Sequence, residues 1–119
     1  ISEVDIAHLL QAKAAIGAGI RTLLEREDLA PADIGKVLLA GGFGRHIDPQ
    51  SAVRCGLLPG FRPEQVEAVG NTSLAGAYIA LLDRGAIDEM DEIRDRIEIV
   101  ELNLDPNFED RFIDELALP

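Results

Sequence analysis

Cysteine is nearly absent from this sequence. Cys55 is the only cysteine among 119 residues, and tryptophan is missing altogether. One thiol cannot close a disulfide within the chain, and it cannot alone hold an iron–sulfur cluster or a structural zinc ion. We therefore predict no metal site and no redox centre in this chain, and we expect any such centre to lie on another chain or domain.

Long apolar runs are also absent. No stretch reaches the roughly 18 apolar residues that a membrane span needs, and no basic and apolar leader opens the sequence. We therefore expect a cytoplasmic protein without a membrane partner. The first residue is Ile1 rather than methionine, so we interpret residues 1–119 as one domain that is a fragment of something longer.

Basic residues are few, and the excess of acidic residues is concentrated at one end. Residues 85–119 hold 12 acidic and 3 basic side chains, whereas residues 1–84 hold 10 and 8. Nucleic-acid binding is disfavoured, because a polyanion needs a basic stripe on the protein surface. The acidic tail has two interpretations, a solvated helical surface or a docking surface for a basic partner.

Helical and strand patterns alternate along the chain and predict an α/β fold. Ser2 is expected to cap a helix over about 3–27. Its predicted core face consists of Ile6, Leu9, Leu10, Ile16, Ile20, Leu23 and Leu24. The predicted strands are 37–40, 66–69 and 98–102. The other predicted helices are 49–56, capped by Asp48, 72–85, started by Asn71 or Thr72, 87–96 and 106–116. The tail is thus expected to form a helix, a strand and a helix.

The stretch VLLAGGFGRHIDP, residues 37–49, places three glycines at the end of the first predicted strand. Gly41, Gly42 and Gly44 leave this turn without any Cβ atom except that of Phe43, so a flat or anionic ligand has room against the backbone. The helix predicted just after the turn adds N–H groups and the positive end of its dipole. A nucleotide suits this arrangement, and so does a tight turn that only needs positive φ angles.

Lys13 falls within the apolar stripe of the first predicted helix, and Gly17 lies one turn further along the same face. A cation in such a stripe needs a partner. Two arrangements stay open: the side chain of Lys13 extends to the edge of the core, or its ammonium group meets something anionic in a crevice beside the glycines.

The helix predicted after Gly70 has no polar face over residues 74–82. We expect it to be buried nearly all round. Its small residues permit close approach of another backbone, either in ordinary core packing or in the sliding joint between two lobes.

In this order, these motifs resemble the closing half of the actin, heat-shock chaperone and sugar kinase (ASKHA) superfamily of ATPases. The closer resemblance is to the C-terminal ATPase domain of the reductive activators of corrinoid proteins, and it covers nearly the whole chain. The stretches that carry it are LLQAKAAIGAGI, VLLAGGFGRHIDPQSAVRCGLLP, VGNTSLAGA and IEIVELNLDPNFEDRFIDELALP. The resemblance implies the closing portion of a ribonuclease-H-like lobe, with about three strands and helices on both faces.

The resemblance also implies a nucleotide site. The glycine turn would contact the adenosine and the α-phosphate, and Lys13 and Gly17 would be neighbours of the adenosine. The helix over 72–82 would connect the two lobes. The expected nucleotide-binding set is Lys13, Gly17, Gly41, Gly42, Phe43, Gly44, Arg45 and Asn71. No catalytic residue is expected, because the phosphate-gripping hairpins of the superfamily and their acidic residues are missing from this sequence.

The function implied is that of an activator that restores cob(I)alamin. ATP with Mg²⁺ would be its cofactor, and a ferredoxin domain with a 2Fe–2S cluster, absent from this chain, would supply the electron. The partner would be a corrinoid protein or a cobalamin-dependent methyltransferase. Two alternatives stay open: another ASKHA protein, such as an acyl-CoA dehydratase activator or a small-molecule kinase, and a non-catalytic interaction module. A homodimer is also expected, because a truncated sheet leaves an unpaired edge.

Overall fold

The computed structural model describes residues 2–119 as an α/β fold, mostly helical, with one small parallel sheet of two strands. The regular elements are α1 (Glu3–Arg26), β1 (Val37–Ala40), α2 (Pro49–Arg54), β2 (Val66–Gly70), α3 (Thr72–Leu82), α4 (Arg84–Arg96) and α5 (Phe108–Asp114). Single 3₁₀ turns occur at Pro31–Asp33, Gly44–His46, Pro63–Gln65 and Leu102–Leu104. Within residues 2–119, no helix combines the length and the apolarity that crossing a membrane requires.

The chain divides into two compact units. The first unit comprises the residues up to Val37 together with Ile47–Glu67 and Glu101–Pro119, and it contains α1, α2 and α5. The second unit comprises Leu38–His46 and Ala68–Val100, and it contains α3 and α4.

Three helix starts follow from local sequence. Ser2 caps α1, where its hydroxyl accepts from the amide of Asp5 at 3.2 Å and the carboxylate of Asp5 accepts from the amide of Ser2 at 2.8 Å. Asp48 caps α2 just before Pro49, and Asn71 caps α3. The sequence predicts the caps at Ser2 and Asp48, and for α3 it leaves Asn71 and Thr72 as the two candidates, of which Asn71 is the cap.

The predicted third strand, over residues 98–102, is wrong. Residues 97–101 lie outside any sheet, and Leu102–Leu104 form a 3₁₀ turn. The β-branched residues Ile99 and Val100 locally favour a strand. However, a strand also needs a neighbour to pair with, and within residues 2–119 this segment has none.

The predicted core face of α1 is wrong for four of its seven apolar residues, whereas Leu10, Ile20 and Leu24 are partly buried. The large apolar side chains of Ile6, Leu9, Ile16 and Leu23 are about half exposed. The buried positions are the small residues and Lys13: Lys13, Ala14, Gly17, Ala18, Gly19 and Thr22. This face packs against α5, and the absence of bulky side chains lets the two helices approach closely.

Helix α3 is not buried all round, contrary to the sequence prediction. None of its residues is buried, and Leu74, Tyr78, Leu81 and Leu82 are among its exposed side chains. Its neighbour in the second unit is α4, where the Met90 side chain lies 3.7 Å from the place where a Cβ of Gly76 would stand. The remaining apolar surface of α3 has no cover among the described residues.

Candidate functional site

The two glycine turns lie side by side at the carboxyl ends of the strands. The amide of Gly41, just after β1, donates to the carbonyl of Gly70, the last residue of β2, at 2.6 Å. Both glycines have positive φ angles, +92° and +74°, which other residues rarely adopt. The hydrogen bond between them brings both turns to the same edge of the sheet.

The structure explains two of the three glycines in the turn. Gly41 is required by its φ angle, and Gly44 is required by packing, because a Cβ there would lie 3.0 Å from the carbonyl oxygen of Leu39. Gly42 has neither constraint: its φ lies outside the left-handed range, and a Cβ there would meet nothing within 4 Å. The chain's own structure therefore gives no reason for a glycine at position 42.

The side chains around Gly42 offer a ring and a charge. Phe43 is 87% exposed, and Arg45 is exposed as well, with its Cδ 3.8 Å from the Cβ position of Gly70. Asn71 is committed to its cap, since its Oδ1 accepts from the amide of Leu74 at 3.0 Å.

The start of α2 does not offer free N–H groups to a ligand, contrary to the sequence expectation, because its own cap uses them. Its first residue, Pro49, has no N–H. The amide of Ser51 donates to the carboxylate of Asp48 at 2.8 Å, and its hydroxyl donates to the same oxygen at 2.6 Å. These hydrogen bonds, above all the one from the Ser51 hydroxyl, hold the pKa of Asp48 below its ordinary value. A carboxylate thus occupies the place that an anionic ligand would take.

Lys13 is in the first unit, and its ammonium group has partners within that unit. It donates hydrogen bonds to the carbonyls of Glu115 and Ala117, and it lies 4.0 Å from the Oε2 of Glu115. Lys13 is only 2% exposed, so the interpretation that its side chain reaches water is wrong. The inference that the ammonium group of Lys13 needs a partner is confirmed, and the partners are the carbonyls of Glu115 and Ala117. A place for Lys13 beside adenosine stays a prediction.

Two glycines make room for this contact. A Cβ at Gly17 would lie 3.0 Å from the Oε2 of Glu115. A Cβ at Gly56 would lie 2.7 Å from the Cε of Lys13 and 3.0 Å from the ring of Pro119, and Gly56 also has a φ of +80°. The predicted role of Gly17 as a neighbour of the adenosine is, like that of Lys13, a prediction.

Arg111 on α5 anchors the same segment further along α1. Its guanidinium donates to the hydroxyl of Thr22 at 3.1 Å, to the carboxylate of Asp105 at 2.8 Å and to the carboxylate of Glu25. The hydrogen bond to Glu25 raises the pKa of Arg111 further above its already high ordinary value. A backbone hydrogen bond from Asn107, with Arg111 as a lesser cause, lowers the pKa of Asp105.

The residues that hold the C-terminal segment on α1 form what we call the C-terminal anchor. They are Lys13, Gly17, Thr22, Glu25, Gly56, Asp105, Arg111 and Glu115. The sequence analysis named only Lys13 and Gly17 among them. A usable signal was present, because Arg111 is the sole basic residue of an otherwise acidic helix, α5, and such a cation commonly has an ion-pair partner.

Comparison with known proteins places this chain in one family. The family model described as the C-terminal domain of RACo, the ASKHA domain, matches residues 1–119. A corrinoid activation enzyme, RamQ of Eubacterium limosum, is 31% identical over 95% of this chain. The Co(II) methylated amine-specific corrinoid protein reductase of Methanosarcina barkeri is 32% identical over 82% of it.

A solved structure has the same fold. The reductive activator for corrinoid, iron–sulfur protein superposes on the whole chain with a TM-score of 0.91 and 42% sequence identity. The chain spans about a fifth of the length of these relatives, namely 19% of RamQ, 18% of the reductase and 19% of the protein of known structure.

Proposed function

Since the chain belongs to the family of RACo C-terminal ASKHA domains, we propose that it is the nucleotide-binding C-terminal part of an ATP-dependent reductive activator of a corrinoid protein. The names of its relatives support this function: one is called a corrinoid activation enzyme, one a corrinoid protein reductase and one a reductive activator. The partner that we propose is a corrinoid protein or a cobalamin-dependent methyltransferase.

Gly42 is the observation that carries the nucleotide part of this proposal. The backbone conformation accounts for Gly41, and packing against Leu39 accounts for Gly44. At Gly42 both reasons are missing, and the space that a side chain would fill is open. A nucleotide lying against the bare backbone at this point gives the missing reason, because any Cβ there would keep it away.

The neighbouring residues fit a nucleotide. The exposed ring of Phe43 offers an apolar face, and the guanidinium of Arg45 offers a donor for a phosphate oxygen. Asn71 can present its NH₂ group, because its oxygen is used in the cap of α3. Lys13 and Gly17 stay in the proposed set as residues of the helix beside the adenosine, with the ammonium of Lys13 held by the C-terminal anchor.

The use of ATP and the supply of the electron would also need regions of such a protein that lie outside this chain. Bound with Mg²⁺, ATP would supply the free energy for an uphill one-electron reduction of cob(II)alamin to cob(I)alamin. The electron would come from a 2Fe–2S cluster in a ferredoxin domain outside this chain. The single cysteine of this chain cannot hold such a cluster. We also propose a cytoplasmic location and, because the two-stranded sheet has unpaired edges, a homodimer. Light scattering over a concentration series tests the dimer.

The substitution Gly42→Val in an activator of the relatives' full length tests the nucleotide site. We expect loss of ATP binding in equilibrium dialysis with an unchanged circular dichroism spectrum, because the added side chain points into the open space. Gly35→Val is the matched control: a Cβ at Gly35 also meets nothing within 4 Å, and its φ is also outside the left-handed range. Full ATP affinity in the Gly42→Val variant would remove the glycine turn from the nucleotide site.

A further inference from the structure

Helices α3 and α4 of the second unit pack together through few residues. On α3 only Gly76 and Ala80 are partly covered, and the other nine residues are exposed. These two lie one turn apart, so they share one side of the helix. On α4 Ala86 is buried, and Met90, one turn further on, is 38% exposed, less than Ile87 or Ile93 of the same helix. Small residues and one long side chain, that of Met90, therefore make up the contact.

The side chain of Met90 lies against the backbone of α3. Its Cε is 3.7 Å from the place where a Cβ of Gly76 would stand, an ordinary van der Waals distance, so the missing side chain at Gly76 makes room for it. Helix α4 has 13 residues. Isolated helices of this length are marginal in water, so α4 depends on packing for its stability. Loss of the Met90 contact should therefore loosen α4.

Met90 is the only methionine of the chain, and its partial exposure leaves it accessible to a small oxidant. Hydrogen peroxide oxidises a thioether in one step: the sulfur lone pair attacks one peroxide oxygen, the O–O bond breaks, and methionine sulfoxide and water are formed. The sulfur loses two electrons, and the peroxide gains them. The sulfoxide oxygen is a hydrogen-bond acceptor, and Gly76 and Ala80 offer it no side-chain donor, so the oxidised side chain is better placed in water.

We propose that Met90 is a redox-sensitive contact that holds α4 on α3. Peroxide converts Met90 to its sulfoxide, the side chain leaves Gly76, and α4 loosens. Methionine sulfoxide reductases, which return the sulfoxide to the thioether, restore the contact. This device lies within the second unit and does not depend on nucleotide binding.

Amide hydrogen exchange of the full chain, followed residue by residue by NMR, tests the proposal. The substitution Cys55→Ala in every sample leaves Met90 as the only sulfur, and mass spectrometry confirms the gain of one oxygen atom. We expect the amides of α4 to exchange about tenfold faster after oxidation, and exchange in α1 to stay unchanged. Treatment with methionine sulfoxide reductases A and B, which act on the two sulfoxide epimers, should restore the original rates.

Two substitutions at one position complete the test. Met90→Leu keeps an apolar side chain of similar volume but has no sulfur, so peroxide should leave the exchange of its α4 amides unchanged. Met90→Gln carries a polar group on a chain of similar length, so its α4 amides should exchange fast without peroxide. Unchanged exchange in the fully oxidised chain, equal acceleration by peroxide in Met90→Leu, parent-like exchange in Met90→Gln, or acceleration that the reductases do not reverse would each overturn the proposal. Equal acceleration in α1 would indicate general unfolding, and would overturn it too.

Discussion

The C-terminal anchor in the first unit and helix α3 in the second unit differ in whether their side chains have partners within the described chain. In the anchor, buried polar groups find partners within the chain: the ammonium of Lys13 has two carbonyls, and the guanidinium of Arg111 has a hydroxyl and two carboxylates. On α3, large apolar side chains face solvent. The anchor is complete in this chain, whereas α3 has the kind of surface that another part of a protein covers.

The substitution Lys13→Met tests the first side of this comparison and should have the largest effect. It leaves the carbonyls of Glu115 and Ala117 without their donor and the carboxylate of Glu115 without its buried cation. We expect a loss of about 3 kcal/mol in the free energy of unfolding, measured with urea.

Lys36→Met is the matched control for that substitution. Lys36 pairs with Glu67 at 2.7 Å, but both side chains are exposed. Such surface pairs contribute less than about 1 kcal/mol, so the control should lose little stability. Equal losses in the two variants would show that burial of Lys13 in the C-terminal anchor does not stabilise the domain.

The substitution Gly56→Ala sharpens the same comparison with a smaller expected effect. Alanine at a φ of +80° is strained, and its Cβ would collide with the Cε of Lys13, which the anchor prevents from moving aside. We expect a loss of about 2 kcal/mol in the free energy of unfolding. Gly35→Ala, where the added Cβ meets nothing, should change it by less than about 0.5 kcal/mol. A neutral Gly56→Ala variant would contradict the close fit that we describe.

The substitution Leu81→Lys tests the α3 side and should have the smallest effect on this chain. Leu81 is 84% exposed, so we expect the free energy of unfolding to change by less than about 0.5 kcal/mol. In an activator of the relatives' full length, the same change should destabilise by more than that, because a charge would enter a covered surface. An equal effect in both proteins would show that α3 stays open to solvent.

Local features of this fold could be predicted from sequence, whereas features that depend on distant partners could not. The caps at Ser2, Asp48 and Asn71 and the glycine turns depend on residues within a few positions of one another. The missing third strand, the exposed α3 and the shifted buried face of α1 depend on which surfaces find neighbours. For α1, residue size decided the outcome, because the face lined by Ala14, Gly17 and Ala18 admits α5 closely.

In the candidate site, too, the local feature could be predicted from the sequence and the distant contact could not. The meeting of Gly41 with Gly70 follows from the strand pattern, since parallel strands bring their carboxyl ends to one edge. The partner of Lys13 did not follow from the pattern, because the carbonyls of Glu115 and Ala117 are more than a hundred residues away in sequence. Sequence spacing showed that Lys13 needed a partner, and only the fold showed which one it has.

The backbone amide signals of residues 41–44, recorded by NMR as ATP is added to an activator of the relatives' full length, test the nucleotide site most directly. We predict that the signals of Gly41 and Gly42 shift in proportion to bound ATP, whereas the signal of Gly35 does not move. Saturating ATP binding with unchanged signals at Gly41 and Gly42 would contradict the account.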